Sequence, residues 1–349
     1  MSAEKPIHIA ILGAGAWGTA VSVVLAQHSA QAVSLWSARP ENAHHLLEHR
    51  QNMRLLPGVP IPPSVLLTAD IHEAVAQADL LVVAVPTVHL RPTLERIAAA
   101  VPPHIPALSL TKGLEISTFL RPTEIIAQVW GERPLGVLSG PSHAEEVGRF
   151  LPTTVVAASA DLELARWVQQ HFSTERFRVY TNRDMVGVEL AGALKNIIGI
   201  AAGISDGLGF GDNAMSALMT RGLAEMARFG VALGAEPPTF AGLAGMGDLI
   251  TTCLSRHGRN RHVGQCLAKG EKLAQILANM TNVAEGIDTT RSVHEMAAQM
   301  LVSMPITDEV FRVLYQDKDP RQAVSDLMLR EPTSEGSPHA PREDRAQPS

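Results

Sequence analysis

Through the first half of the chain, short runs of β-branched and aliphatic residues alternate with longer stretches whose apolar positions recur at helical spacing. Residues 7–12, 32–36, 80–85, 107–111, 135–139, 153–158 and 177–181 read as strands, and several are apolar throughout, as strands covered on both faces should be. This alternation predicts an α/β domain with a doubly wound, mostly parallel sheet over residues 1–184. Proline-rich breaks at 57–63 and 102–106 punctuate it, and Asp70 and Ser159 are placed as helix caps. From about Asp184 the strands vanish, and runs rich in Ala, Leu, Met and Gly predict an all-α domain over 185–330. Its second helix is expected after the 207–211 loop, capped by Asp212 or Asn213 and stopped at Gly230. Residues 331–349 hold four prolines and no Val, Ile or Leu, so this tail is expected to be disordered.

One charge stands out against the pattern. In the run 190–205, Lys195 is the only charged side chain. At 100° per residue Val186, Leu190, Leu194, Ile197 and Ala201 form one apolar stripe, while Lys195 falls among Val188, Ala191, Gly192, Gly199 and Ala202. That second face consists of small residues, so the helix is expected to be covered all round and to let another body come close. A lysine there is costly to bury without a partner or a task, which favours a functional Lys195 over a snorkelling structural one. Asn196 beside it either orients a ligand or fills a helix position.

With 349 residues, 46% apolar and 18% charged, the chain can bury two cores. A net charge of −6 argues against a nucleic-acid partner. Cys253 and Cys266 form no disulfide framework or metal motif and are expected to be inert thiols of a reducing compartment. The start lacks a basic n-region, and no apolar run approaches the ~20 residues that cross a bilayer. A cytoplasmic protein without membrane insertion is therefore expected.

The first strand runs into Gly13-Ala14-Gly15-Ala16-Trp17-Gly18 and then into a stretch, 19–28, of helical character. In that context a G-x-G-x-x-G predicts a dinucleotide site. Gly13 makes the tight turn, Gly15 lets the backbone approach a pyrophosphate, Gly18 admits close helix packing, and the helix N-terminus faces the phosphates. The acidic residue that selects NAD at the end of the second strand is missing from Trp36-Ser37-Ala38-Arg39. Arg39 either faces a 2′-phosphate or is solvated. NADP is thus expected to be accepted, and Glu41 leaves NAD open.

Strand C-termini hold ligands in such sheets. Lys112, in Leu110-Thr111-Lys112-Gly113, is either a site ammonium or a surface lysine. Ser139-Gly140-Pro141-Ser142-His143-Ala144 is either a ligand loop, with Gly140 allowing close approach and Ser142 donating, or a turn. In Gly245-Met246-Gly247-Asp248, Asp248 is either an N-cap or a functional carboxylate. Arg256, Arg259 and Arg261 fall within six positions, a phosphate or carboxylate site or else a basic turn.

Taken in order, the glycine motif, Ser109-Leu110-Thr111-Lys112-Gly113-Leu114-Glu115, Ser139-Gly140-Pro141-Ser142, Leu194-Lys195-Asn196, Gly245-Met246-Gly247-Asp248-Leu249 and Arg259-Asn260-Arg261 resemble the bacterial NAD(P)-dependent glycerol-3-phosphate dehydrogenases over about residues 7–325. The resemblance implies an N-terminal Rossmann domain plus an all-α domain, a homodimer, no metal, and NADP- or NAD-linked reduction of dihydroxyacetone phosphate to sn-glycerol 3-phosphate for phospholipid synthesis. It implies Lys195 as general acid/base, with Lys112, Gly140, Ser142, Asp248, Gly258, Arg259 and Asn260 at the substrate. It places Gly13, Gly15, Ala16, Trp17, Gly18, Arg39, Lys112, Ala144, Arg259, Val283 and Glu285 at the cofactor. Serine is frequent in the family at Ala16 and Gly258, so contacts there rest on backbone. Two rival readings are a related β-hydroxyacid or ketoacid reductase, such as a ketopantoate reductase, and a non-catalytic NADP sensor, for which Lys195 has no use.

Overall fold

The structure is a computed structural model in which residues 6–255, 257–280, 283–332 and 334 are described. Unit 1 takes the described residues up to Lys112 together with Leu120–Glu189; unit 2 takes Gly113–Phe119 and the described residues from Leu190 onward.

Unit 1 is built on one sheet of β1 (Ile7–Leu12), β2 (Gln31–Trp36), β3 (Val65–Thr68), β4 (Leu80–Val83), β5 (Ala107–Ser109), β6 (Leu135–Ser139), β7 (Thr153–Ala158) and β8 (Phe177–Asn182), in the order β3-β2-β1-β4-β5-β6-β7-β8. All neighbours are parallel except β6 and β7. The first six positions follow the doubly wound dinucleotide order, whose reversal lies between β1 and β4. Successive β1 residues serve opposite layers: Ile9 and Ile11 enter one apolar cluster, Ala10 and Leu12 the other. That explains a strand with no polar face. The covering helices are α1 (Ala16–Leu25), α2 (Pro40–His49), α3 (Ile71–Val75), α4 (Thr87–Ile97), α5 (Pro122–Trp130), α6 (Ala144–Val147) and α7 (Leu162–Phe172).

Helix α8 (Met185–Gly207) begins in unit 1 and continues in unit 2. It is followed by α9 (Asp212–Ala232), α10 (Pro237–Ala241), a π-turn at Leu243–Gly247, α11 (Asp248–Leu254), α12 (Arg259–Ala268), α13 (Leu273–Asn279), α14 (Glu285–Gln299), α15 (Pro305–Tyr315) and α16 (Pro320–Met328). The segment Gly113–Phe119 belongs to this unit: Leu114 is buried, and Ser292 Oγ on α14 donates to the Glu115 carbonyl at 3.5 Å. The small-residue face of α8 meets α12: a Cβ on Gly203 would stand 2.0 Å from the Arg261 carbonyl oxygen, and one on Gly264 would stand 2.1 Å from that of Ile200. Both obstacles are backbone, so Gly203→Ala is expected to cost about 3 kcal/mol or more in a denaturant titration, at the upper end of overpacking penalties.

Several sequence expectations shift locally. Strand β3 is not anticipated, because four residues beside a proline-rich break carry little pattern. Strands β4 and β5 end early, since Thr111 Oγ1 donates to the Val85 carbonyl as the chain leaves the ladder. Helix α1 starts at Ala16, directly out of the glycine turn. Asp70 caps α3, but α7 is capped by Asp161, whose carboxylate accepts from Glu163 N, while Ser159 Oγ donates to the Leu135 carbonyl. Gly211, rather than Asp212 or Asn213, is the N-cap of α9. Gly230 lies inside that helix because Phe240 packs on it, and the chain turns at Gly234, φ +89°. Helix α8, contrary to the expectation, is long and apolar enough to cross a membrane by length and composition, yet 83% of its most apolar window is buried within the protein. Of the 331–349 tail, 333 and 335–349 lie outside the described residues, as does Arg256.

Glu225 on α9 is buried and accepts hydrogen bonds from Ile306 N at 2.7 Å and Thr307 N at 3.3 Å. Burial outweighs these donors and Arg228 and pushes its carboxyl from 4.5 up to about 7. The folded state therefore holds a proton that the unfolded state has released, and stability falls as pH rises from about 4.5 to about 7. At about 1.4 kcal/mol per unit this is roughly 3 kcal/mol. Urea midpoints across that window should slope less in Glu225→Gln than in the wild-type protein.

Candidate active site

In unit 1 the glycine loop is shaped by three different constraints. Gly13 has φ +123°, and a Cβ there would lie 2.5 Å from the Ala84 carbonyl oxygen at the end of β4. Gly18 packs so tightly that its Cβ would lie 2.0 Å from the Gly13 carbonyl oxygen. Gly15 meets no protein atom within 4 Å, so open space faces the position where a phosphate approaches a dinucleotide loop. It is also the N-cap of α1, with no side-chain capping bond, which leaves the first-turn N–H groups to a ligand. The loop is pinned from below by buried Asn52, whose Nδ2 donates to the Ala14 carbonyl at 3.1 Å and to Thr19 Oγ1 at 3.0 Å. No pattern near Asn52 announces that role.

Ala16 and Trp17 follow in the first turn, and Trp17 Nε1 is buried without a hydrogen-bond partner, as is Ser139 Oγ at the end of β6. Gly140, φ +126°, extends that end, and Lys112 Nζ and Ser142 Oγ both donate to its carbonyl, at 3.1 and 2.9 Å. The structure thus brings Lys112, Gly140 and Ser142 together; Ala144 opens α6 just beyond. Arg39 is exposed at the N-cap of α2, and Ser37 Oγ donates to its carbonyl at 3.1 Å. These residues fit a nicotinamide dinucleotide: an open glycine cradle, an uncapped helix end and an orphaned indole N–H.

In unit 2, Lys195 is 7% exposed, and its Nζ donates to Asp248 Oδ1 at 2.6 Å and Thr252 Oγ1 at 2.8 Å. Asp248 is 2% exposed and opens α11 without capping it, so its carboxylate serves the lysine rather than the helix end. Thr252 sits one turn along the same helix, a spacing visible in the sequence but not used there. Beside them Asn260 Nδ2 donates to Asn196 Oδ1 at 3.0 Å, and Gly286 N donates to Asn260 Oδ1 at 3.1 Å. Both amides are fixed by this chain of bonds. A Cβ on Gly286 would stand 2.7 Å from the Asn196 carbonyl oxygen and from Asn260 Oδ1, so only glycine permits it.

Arg259 is exposed at the start of α12, with Nη1 donating to the Val283 carbonyl at 2.9 Å; Glu285 opens α14 two residues on. Arg261 does not join it, for it pairs with Asp206 at 3.0 Å. Gly258 is the N-cap of α12, with backbone oxygens of Ser255 and Thr252 at 3.2 Å from where a Cβ would be, which leaves little room for a side chain. Burial pushes the Cys253 thiol up to about 12 despite nearby Lys195 and Arg261, and raises that of Cys266 as well, so neither is a thiolate nucleophile.

Two family profiles match the chain along most of its length. The NAD-dependent glycerol-3-phosphate dehydrogenase N-terminus matches residues 8–165, and the C-terminus of the same enzyme matches 184–325. The chain belongs to the NAD-dependent glycerol-3-phosphate dehydrogenase family. A glycerol-3-phosphate dehydrogenase (NAD(P)+) from Chlorobium limicola is 49% identical over 332 residues, which cover 94% of this chain and 99% of the relative. One from Chlorobium phaeobacteroides is 49% identical over 330 residues, 94% of this chain and 98% of the relative. Among solved structures, glycerol-3-phosphate dehydrogenase from Coxiella burnetii superposes with a TM-score of 0.89 at 38% identity, covering 93% of this chain and 99% of that one. Family membership and the sheet order agree with the α/β-plus-helical expectation, with the helical domain carrying the lysine.

Proposed function

We propose that the protein reduces dihydroxyacetone phosphate to sn-glycerol 3-phosphate with NADPH or NADH, reversibly, and supplies glycerophospholipid synthesis as a cytoplasmic homodimer. The buried Lys195–Asp248–Thr252 cluster carries this reading. When bound, the reduced nicotinamide supplies a hydride to the carbonyl carbon. Lys195 gives a proton to the carbonyl oxygen as alkoxide charge develops, so that ketone, hydride and proton together make the secondary alcohol. Asp248 compensates the ammonium and, with Thr252, fixes where Nζ points. No metal is required for this step.

Lys112, Gly140, Ser142, Gly258, Arg259 and Asn260 hold the substrate in this scheme, the guanidinium fork of Arg259 taking its phosphate. Gly13, Gly15, Ala16, Trp17, Gly18, Arg39, Lys112, Ala144, Arg259, Val283 and Glu285 hold the cofactor. Exposed Arg39 is the residue suited to a 2′-phosphate, which is the ground for expecting NADPH to be accepted.

Arg259→Ala should raise KM for dihydroxyacetone phosphate by about tenfold or more, the scale of a lost charge-assisted pair. The reading as a whole is tested by cofactor oxidation with a panel of dihydroxyacetone phosphate, unphosphorylated dihydroxyacetone and ketopantoate. The phosphorylated ketone should be turned over best with either cofactor. Equal or better turnover of ketopantoate would transfer the protein to the ketoacid reductases, and oxidation with none of them would make it a sensor.

A further inference from the structure

Helix α2 presents a cluster of potential ligands that the reduction does not use. His45, Glu48 and His49 are exposed, and one ligand atom from each lies within 4.8 Å of the others. His45 and His49 are one turn apart, with ring centroids separated by 6.1 Å and planes within 9° of parallel. Glu48 Oε2 stands 3.7 Å from His49 Nε2. The opposite face of the helix is held by buried Ala43 and Leu46. Immediately after His49, Arg50 turns the chain at φ +46° and its guanidinium donates to the Pro62 and Val65 carbonyls. The backbone beneath the cluster is therefore anchored, while the three side chains lie on its exposed face.

We propose that this outer face of α2 binds one divalent transition-metal ion of the Zn2+, Ni2+ or Cu2+ class through His45, Glu48 and His49. Imidazole nitrogen with a carboxylate oxygen suits these ions, whereas Mg2+ and Ca2+ take oxygen ligands. A tetrahedral ion about 2.0–2.2 Å from each donor needs the donors roughly 3.4 Å apart. Rotations about the exposed side-chain torsions bring them from their present spacing to that one without moving the helix. Water completes the coordination. The ion ties one helical turn to the next and so holds the end of α2 in helical form. That end leads within three residues to Asn52, the residue that pins the glycine loop.

The full-length, tag-free protein, treated with chelator and then titrated with ZnCl2 in a calorimeter, tests the assignment. One equivalent should bind, and affinity should fall about tenfold or more in His45→Ala and in His49→Ala while His44→Ala stays near the wild-type value. MgCl2 should give no isotherm. Failure of the wild-type protein to bind Zn2+, undiminished binding in the His45→Ala/His49→Ala double variant, or a loss confined to His44→Ala would each overturn the site. Hydrogen exchange on the wild-type chain needs no variant: Zn2+ should slow exchange of the backbone amides of 44–50, and unchanged exchange there counts against the proposal.

Discussion

Replacing Lys195 by alanine is expected to lower kcat by about 10³-fold or more while leaving NADPH affinity within a few-fold of the wild-type value. Within unit 2 its Nζ donates to Asp248 and Thr252, contacts that hold the proton donor rather than the glycine cradle. Loss of the ammonium also breaks a buried ion pair, since Asp248 is 2% exposed, and removing one partner of such a pair costs roughly 3–5 kcal/mol. Activity must therefore be read on protein shown to be folded. The double variant Lys195→Ala/Asp248→Asn separates the two effects: it should regain much of the stability and none of the turnover. Turnover within about tenfold of wild type in the single variant would exclude Lys195 as the principal acid.

A pair of glycine substitutions in one loop should give opposite outcomes. Gly15→Ala adds a methyl group where no protein atom lies within 4 Å, so the unfolding midpoint should stay near the wild-type value. The same methyl group occupies the space a pyrophosphate needs, and cofactor affinity should fall by about tenfold or more. Gly18→Ala drives a Cβ to 2.0 Å from the Gly13 carbonyl oxygen, so it should lose stability and cofactor binding together, by about 3 kcal/mol in the first. Fluorescence titration with NADPH beside thermal unfolding of both variants checks this. If Gly15→Ala binds NADPH as wild type does, the pyrophosphate does not approach through that glycine.

The parts of this molecule that the sequence makes legible are those written locally. The glycine motif declares itself because strand, turn and helix follow one another within 20 residues, and each glycine has a separate steric task. Lys195 is conspicuous for a different reason: it interrupts a run that is otherwise uncharged, and small residues line its face of the helix. Asp248 remains ambiguous in sequence, since a carboxylate at the first position of a helix serves the backbone as well as it serves a distant ammonium. Only the fold, which sets Lys195 53 positions away against it, decides the matter.

Residues whose meaning lies wholly in long-range contact leave no local trace. Asn52 acts on a carbonyl 38 positions earlier in the chain. Glu189, buried, accepts from Thr123 N and Oγ1 and from Arg121, 68 positions away, and its burial raises its pKa against those donors. Composition can also point two ways: α8 has the length and apolarity of a membrane span because a helix buried on every side faces the same demand as one in lipid. Its buried lysine, ion-paired to an aspartate, belongs to the first case.

The most direct measurement is product analysis of a single reaction: the purified protein, NADPH and dihydroxyacetone phosphate, with phosphorus NMR and absorbance followed together. Each NADPH oxidised should yield one sn-glycerol 3-phosphate, and the rate of its formation should fall by about 10³-fold or more with Lys195→Ala. Wild-type protein that binds NADPH but leaves it reduced in the presence of dihydroxyacetone phosphate would contradict the assignment.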